Sequence, residues 1–407
     1  MSPTLEYRPA SKGSINATPV KTGFRLSAAL CAMLLLALFN GWVSVSHPLS
    51  DAPTANLDTG EVRRAEAAFK EADADPKILF MGSSLVLASM TQAESNFLAK
   101  PIARMVHRRN YFTEQLLSDF SARPRAYCMA IGGSMSSDDY LLLKNVILPA
   151  HKPDALVIGV APRDFQDNLM PSVPSTETFR SQANMFDAVE YFSRKRRINS
   201  NELIEVALGR LCAFYNYRTD IRDYMVLRIK KTMQACMPWV AFYRYDEHGV
   251  LRPTRHGQFP EEVKGTPMIL PNESMPHMPV QTTLENYRLR YAPINSQQNA
   301  QQFSYFERLL KLCRERQIKV VVVNMPLSRA NLALVPDGFY AYYKQRVTEA
   351  CQSYDVELVD MCIEPYTRDG MFADGVHLAT GVSQQFLRSL CRRLHSSQVA
   401  TSFSKSI

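Results

Sequence analysis

Short runs of apolar residues, each ended by glycine, proline or a polar residue, recur along the chain between amphipathic stretches. Such runs are typical of strands that are covered on both faces of a sheet, because neither face then needs polar side chains. We predict five buried strands from them. The predicted strands lie at 77–81, 127–131, 155–160, 318–324 and 356–360.

Helical patterns fill most of the intervals between these strands. A leading helix is predicted over 61–71, and four later ones over 140–148, 303–316, 339–354 and 383–395. Strands that alternate with amphipathic helices predict an α/β fold, here a three-layer α/β/α domain around a mostly parallel five-stranded sheet. We expect this domain to extend over 76–395, and residues 396–407 to form a flexible tail.

Residues 165–300 break this rhythm and predict a large insertion between the third and fourth strands. The stretch is rich in aromatic residues, arginine and methionine, with helical patterns near 185–194 and 202–230. From 253 to 293 it is polar and contains many prolines, without a strong period. A lid, a partner-binding surface and a membrane-facing element are all consistent with such a composition.

One segment near the N-terminus is apolar enough to cross a bilayer. Residues 26–45 contain no charged side chain, and about 20 apolar residues span the hydrocarbon core as a helix. Basic residues precede the segment and acidic residues follow it, so we expect 1–25 to be cytoplasmic and the body extracytoplasmic. A cleaved signal peptide is the alternative to this single-pass anchor. Residues 46–75 would then form a tether and the leading helix.

Composition adds few restrictions on function. The chain has 407 residues and a formal net charge of +8, but no nucleic-acid-binding motif accompanies the charge, so we expect no nucleic-acid partner. The eight cysteines contain no C-x-x-C pair, and no cluster of metal-ligand residues predicts a metal or another cofactor. Cys212 with Cys236, or Cys351 with Cys362, could pair in an oxidising compartment.

Small and polar residues follow the predicted strands, at the edge where parallel α/β sheets carry their sites. Ser84 follows the first strand, and Asp374 and His377 precede the last helix. A serine hydroxyl is a weak nucleophile that needs a nearby base, and histidine suits that role at ordinary pH. An aspartate can orient the imidazole and stabilise its charged form. We therefore predict these three as the catalytic residues.

In this order the motifs resemble those of the SGNH (GDSL-like) hydrolase superfamily, over about 76–165 and 315–395. Ser84 matches the nucleophile, with Ser83 in place of the usual aspartate, and the D-x-x-H pair matches in spacing. Gly132 or Gly133 matches the second block. Within the superfamily the chain looks most like membrane-anchored envelope acyl-modification proteins, such as the alginate O-acetylation factors and the D-alanine transfer protein of teichoic acids.

The resemblance implies a flavodoxin-like sheet and a serine esterase or acyltransferase that acts on acyl esters of a cell-envelope glycan or a similar substrate. It also implies a membrane O-acyltransferase as a partner. Backbone N–H groups at Ser84 and at Gly132 or Gly133 would hold the oxyanion.

The third block departs from the superfamily pattern. Arg163 stands near the place of an asparagine that donates to the oxyanion. Arg163 either donates to the oxyanion or substrate, or forms a structural ion pair with an acid such as Asp164. The departure supports an alternative function: a catalytically weak or inactive scaffold in an export or polysaccharide-acylation complex.

Overall fold

The structure is a computed structural model. It describes residues 22–46, 61–70, 78–103, 107–120, 124–170, 172–194, 200–212, 279–401 and 403, and short or isolated pieces between 215 and 272. The chain divides into two units, 1–48 and 49–407.

The first unit contains helix α1 (Thr22–Ser46), which covers the apolar segment predicted at 26–45. Large apolar side chains along α1 are exposed, among them Leu30 and Leu38. Within the part of the chain that the structure describes, no helix combines the length and the apolarity needed to cross a membrane. The transmembrane anchor therefore stays a prediction. The predicted tether and most of the predicted cytoplasmic tail lie outside the described residues.

A sheet of five parallel strands forms the centre of the second unit. The strands are β1 (Ile78–Gly82), β2 (Ala126–Cys128), β3 (Ala155–Val160), β4 (Lys319–Asn324) and β5 (Glu357–Asp360). Their order in the sheet is β2-β1-β3-β4-β5, the order of flavodoxin-like folds. Each observed strand overlaps one predicted strand, so the predicted α/β fold with a parallel five-stranded sheet is confirmed.

The helices of this unit agree with most of the predicted ones. They are α2 (Glu61–Lys70), α3 (Ser84–Leu98), α4 (Tyr111–Leu116), α5 (Ser136–Leu142), α6 (Glu177–Gln182), α7 (Met185–Ser193), α8 (Ser200–Leu211), α9 (Val280–Tyr291), α10 (Ser296–Glu315), α11 (Phe339–Ser353) and α12 (Thr380–His395), with short helical turns at Leu143–Ile147, Leu148–Ala150, Pro162–Asp164, Val173–Ser175, Arg329–Leu332, Asp369–Met371 and Gln398–Thr401.

Helices cover both faces of the sheet, because successive side chains of a strand point to opposite faces. On one face, Leu79 and Val322 belong to a buried cluster with residues of α2, α5, α10 and α11. On the other face, Phe80 and Val323 belong to a second cluster, with residues of α3 and α12. The sheet is therefore the middle layer of three.

The insertion is integrated with the domain. Phe179 of α6 and Tyr191 of α7 are buried in the same cluster as the strand residues, so these helices complete the core. Further along the insertion, 268–269 pairs antiparallel with 102–103, which lies outside it. The predicted helix near 185–194 is confirmed by α7.

The packing corrects one expectation and bears on one possibility that the sequence left open. The tail predicted to be flexible from 396 forms a short helix at Gln398–Thr401, and Phe403 is buried with its ring 5.5 Å from that of Phe120. All eight cysteines are unpaired thiols. Cys351 packs with one core cluster and Cys362 against the other, so the two lie on opposite sides of the sheet.

A glycine at the end of β1 is required by both its backbone and its neighbours. Gly82 has φ +135°, and a Cβ there would lie 2.4 Å from the carbonyl oxygen of Gly159 in β3. Because the obstacle is backbone, we expect Gly82→Ala to lower the free energy of unfolding by about 3 kcal/mol or more.

Urea denaturation measures this cost, with Gly338→Ala as the matched control. Gly338 also has a positive φ, +72°, but a Cβ there would have no atom within 4 Å. It should therefore lose only about 1–2 kcal/mol of backbone strain. If both variants lose the same free energy of unfolding, the close approach of β1 and β3 is not the reason that residue 82 must be glycine.

Candidate active site

Ser84 lies at the carboxyl end of the sheet, where β1 passes into α3. It is the first residue of α3, and Ser83 is the N-cap residue, whose side chain makes no capping hydrogen bond. The order of the strands reverses between β1 and β3, and ligands of such sheets bind at that point. The positive end of the α3 dipole lies beside the Ser84 hydroxyl, where developing negative charge is favoured.

The three predicted catalytic residues form one hydrogen-bonded relay. The Nε2 atom of His377 is 2.9 Å from the Oγ atom of Ser84, although the two residues are 293 positions apart. The Nδ1 atom of the same imidazole is 2.7 Å from the Oδ2 atom of Asp374, which is 3% exposed. With Nδ1–H donating to the carboxylate, Nε2 is left to accept the serine proton.

A tight turn holds the acid and the base of this relay. The Oδ1 atom of Asp374 accepts hydrogen bonds from the backbone N–H groups of Val376 (3.0 Å) and His377 (2.8 Å). Gly375 has φ +84°, which favours glycine, and Ser328 donates its hydroxyl to the Gly375 carbonyl. One carboxylate oxygen thus shapes the turn, and the other orients the imidazole.

The two glycines of the second block have different environments. The Gly132 N–H donates to the Oε2 atom of Glu61 at 3.1 Å, so it is already occupied. Glu61 is the first residue of α2, and its buried carboxylate also lies 3.7 Å from the guanidinium of Arg108. Among the described residues nothing accepts the Gly133 N–H, which leaves Gly133 as the better oxyanion donor of the two.

Arg163 is a structural residue in this geometry. Its Nε–H donates to Asp167 at 2.9 Å, and its Nη1 and Nη2 groups donate to the carbonyls of Ser134 (2.7 Å) and Gly133 (2.8 Å). The side chain is buried and fixes the loop after β2 to the turn after β3. Of the two roles open from the sequence, the structure favours the ion pair, with Asp167 rather than Asp164 as the close partner.

Buried acids surround this arginine. Burial raises the pKa of Asp164 to about 6, although Arg163 and a hydrogen bond from the Ala161 N–H act against the shift. Burial also raises the pKa of Asp139 well above its usual range, and the charges of Asp164 and Asp138 add to the effect. Asp164 interacts with Ser83, the chain neighbour of Ser84, so it is close to the relay without belonging to it.

No group of three or more histidine, cysteine or carboxylate side chains among the described residues is arranged to hold a metal ion.

One element over the site was not predicted from the sequence. Helix α9 belongs to the insertion. Its side chains reach the turn from Asp374 to His377, which we call the catalytic turn. A Cβ at Gly375 would lie 3.2 Å from Leu284 and 3.4 Å from Val280. The segment was not predicted as a helix because it is polar and has prolines at 279 and 293. Its signal was an apolar stripe at helical spacing, Val280, Leu284, Tyr287 and Tyr291.

We expect Arg163→Met to destabilise the protein rather than to alter its chemistry alone. The change leaves the carbonyls of Ser134 and Gly133 without their donor, at a cost of about 1–3 kcal/mol each, while Asp167 keeps Arg290 as its remaining ion-pair partner. Urea denaturation tests it, with Arg194→Met as the control for an exposed ion pair, Arg194–Glu190, expected to lose about 0–1 kcal/mol. A stable Arg163→Met protein with reduced activity would favour the substrate-binding role instead.

Of three comparisons with known proteins, one places the chain in a family. A structure from Bacteroides fragilis, provisionally described as an acylhydrolase, has 11% sequence identity, covers 83% of this chain and 97% of its own, and gives a TM-score of 0.32. At that TM-score the likeness carries no argument about fold or function. No curated protein matches the chain. A family model described as "Protein of unknown function (DUF1574)" matches residues 108–394, which is more than half of the chain. The chain therefore belongs to the DUF1574 family.

Proposed function

We propose that this chain is a serine esterase or acyltransferase that acts on acyl esters of a cell-envelope glycan or a similar extracytoplasmic substrate. The observation that carries the proposal is the relay of Ser84, His377 and Asp374, with contacts of 2.9 Å and 2.7 Å. Nucleophile, base and orienting acid are within hydrogen-bond reach before any substrate binds, which is the geometry that such catalysis requires.

In the proposed reaction the Oγ atom of Ser84 attacks the acyl carbonyl carbon, and its proton passes to Nε2 of His377. Asp374 stabilises the imidazolium that forms. The backbone N–H groups of Ser84 and Gly133 face the developing oxyanion. When the tetrahedral intermediate collapses, the leaving alcohol takes the proton from His377, and the acyl group stays on Ser84. Water then completes hydrolysis, or a sugar hydroxyl completes transfer.

The cellular setting is proposed from the sequence. The uncharged segment 26–45, with basic residues before it and acidic residues after it, supports a single-pass anchor with the domain outside the cytoplasm. The motif order supports a role in envelope acyl modification and a membrane O-acyltransferase as partner. Such a partner would deliver acyl groups across the membrane that the domain then transfers or removes.

One observation favours a second candidate, a non-catalytic scaffold of the same fold. Arg163 occupies the third block, and three of its nitrogens donate to Asp167, Ser134 and Gly133. The side-chain donor that SGNH enzymes place there is therefore missing from the end of β3. A site with only backbone donors would stabilise the oxyanion less.

Covalent labelling distinguishes the enzyme from the scaffold. We expect a fluorophosphonate probe to label the wild-type chain at Ser84, because the probe reacts with a serine that has an adjacent base. Ser84→Ala should abolish labelling, whereas Ser83→Ala, one position earlier and without a capping bond, should keep it. In-gel fluorescence followed by peptide mass spectrometry locates the adduct.

Steady-state hydrolysis of p-nitrophenyl acetate extends the test to the acid of the relay. Asp374→Asn should lower kcat by a factor on the order of 10³–10⁴, because the amide no longer fixes the productive tautomer of His377. A wild-type chain that neither takes up the probe nor hydrolyses the ester would leave the scaffold as the better reading.

The anchor is tested by fractionation and a topology reporter. We expect the full chain to stay in the membrane pellet after alkaline carbonate extraction, and a chain that lacks residues 1–45 to be released, because about 20 apolar residues hold a helix in the bilayer. An alkaline phosphatase fusion after residue 60 should be active only if that point is extracytoplasmic. Release of the full chain by carbonate would argue against the anchor.

A further inference from the structure

The oxyanion site lacks one side-chain donor at the sheet edge. The Arg163 guanidinium, which follows β3, is bound to Asp167 and to two loop carbonyls. The Gly132 N–H, which follows β2, is bound to Glu61. These two positions therefore supply no further donor beside the N–H groups of Ser84 and Gly133. Helix α9 of the insertion is the element that covers the catalytic turn.

The two ends of α9 are fixed on the domain. At its start, Val280 and Leu284 lie against the catalytic turn at Gly375. At its end, the buried Tyr291 donates its hydroxyl to the Oδ1 atom of Asn331 at 3.0 Å. These residues lie on one face of the helix because they are spaced by four and seven positions. Tyr287 lies between Leu284 and Tyr291 on the same face.

The surroundings of Tyr287 combine the catalytic turn with the Arg163 cluster. Tyr287 packs against the core cluster on that face of the sheet, to which Val376 and Leu378 of the catalytic turn also belong. Its ring centroid is 5.8 Å from that of Tyr291 and 5.9 Å from the guanidinium carbon of Arg290. Its phenol also interacts electrostatically with groups of both regions, namely Arg163, Arg290, Asp164 and Asp374.

The hydroxyl of Tyr287 is available as a donor. Among the described residues it has no hydrogen-bond partner, in contrast to Tyr291. Burial raises the pKa of Tyr287 to about 12, so the hydroxyl keeps its proton at neutral pH. The side chain of Tyr287 is half-buried, so its hydroxyl can donate to a ligand that enters the site. An acyl oxygen bound at Ser84 is a ligand that could accept this hydrogen bond.

We propose that Tyr287 is a catalytic residue whose hydroxyl donates a hydrogen bond to the oxyanion formed at Ser84, in place of the third-block asparagine. The inference rests on the proposed acyl chemistry and names a further donor for it. The tyrosine keeps its proton throughout, and the negative charge returns to the carbonyl when the intermediate collapses. The insertion thereby supplies a part of the active site.

Tyr287→Phe tests this role, because it removes the hydroxyl and keeps the ring, which packs beside Tyr291 and Arg290. With p-nitrophenyl acetate we expect kcat to fall about 100-fold, the typical effect of losing one oxyanion donor, and KM to change less than about 3-fold. Inhibition by phenylboronic acid, which forms a tetrahedral adduct on serine, should weaken by a similar factor as kcat, because the adduct carries the same charge.

Tyr342→Phe is the matched control. Tyr342 lies on α11, is 39% exposed and has no part in the proposed reaction. Its kcat should equal that of the wild type. Urea denaturation should show that Tyr287→Phe remains folded.

The outcomes separate this inference from the proposed function. If the wild type is active and labelled at Ser84 but Tyr287→Phe keeps full kcat and boronate affinity, Tyr287 is not a donor and the relay stands. A Tyr287→Phe variant that loses stability while kcat per folded molecule is unchanged would equally overturn the inference, because the tyrosine would then be structural. A wild type without activity or labelling would refute the proposed function, and the inference with it.

Discussion

The close contact of α3 with the sheet is the constraint on which the site depends. Gly159 in β3 has no side chain, and a Cβ there would lie 2.3 Å from the Cγ2 atom of Val86 in α3. Gly82, at the end of β1, tolerates its φ of +135° and the nearby carbonyl of Gly159 for the same reason. Two glycines thus let the first turn of α3 lie directly on neighbouring strands. Ser84 is held there at 2.9 Å from His377.

The loops around Ser84 are fixed by buried charges rather than by apolar packing. Arg163 joins the loop after β2 to the turn after β3, and Glu61 reaches from α2 to the Gly132 N–H. Arg163 pairs with Asp167 and Glu61 lies near Arg108, which limits the cost of taking these charges out of water. Arg163 and Gly132, which the resemblance to SGNH enzymes places near the oxyanion, therefore hold the loops in position. In the proposed reaction the oxyanion donors are then Ser84, Gly133 and, by our inference, Tyr287.

Local pattern predicted most of the fold and the core of the site. The five strands were predictable because each one shows a local pattern, an apolar run ended by small residues. Recognising that pattern needs only a few neighbouring positions and no knowledge of distant contacts. The turn of Asp374 and His377 was predictable for a similar reason, since its three-residue spacing lets one carboxylate bind both the backbone and the imidazole. The pairing with Ser84 followed only from the rule that parallel strands end at one edge of a sheet.

Charge partners and packing partners depended on the tertiary structure. The sequence left Arg163 open between two roles, and its position beside Asp167 decides for the ion pair. Phe403 belongs to a terminal stretch whose polar residues predict flexibility, yet its ring is buried against Phe120. Tyr287 lies in a polar segment rich in proline, and only the folding of α9 over the catalytic turn brings it to the site.

By itself the sequence determined the strand order along the chain and the types of residue at the strand ends. Which of those residues meet, and which are already bound to a partner, was decided by contacts between distant segments, because hydrogen-bond partners and buried charges are set in three dimensions.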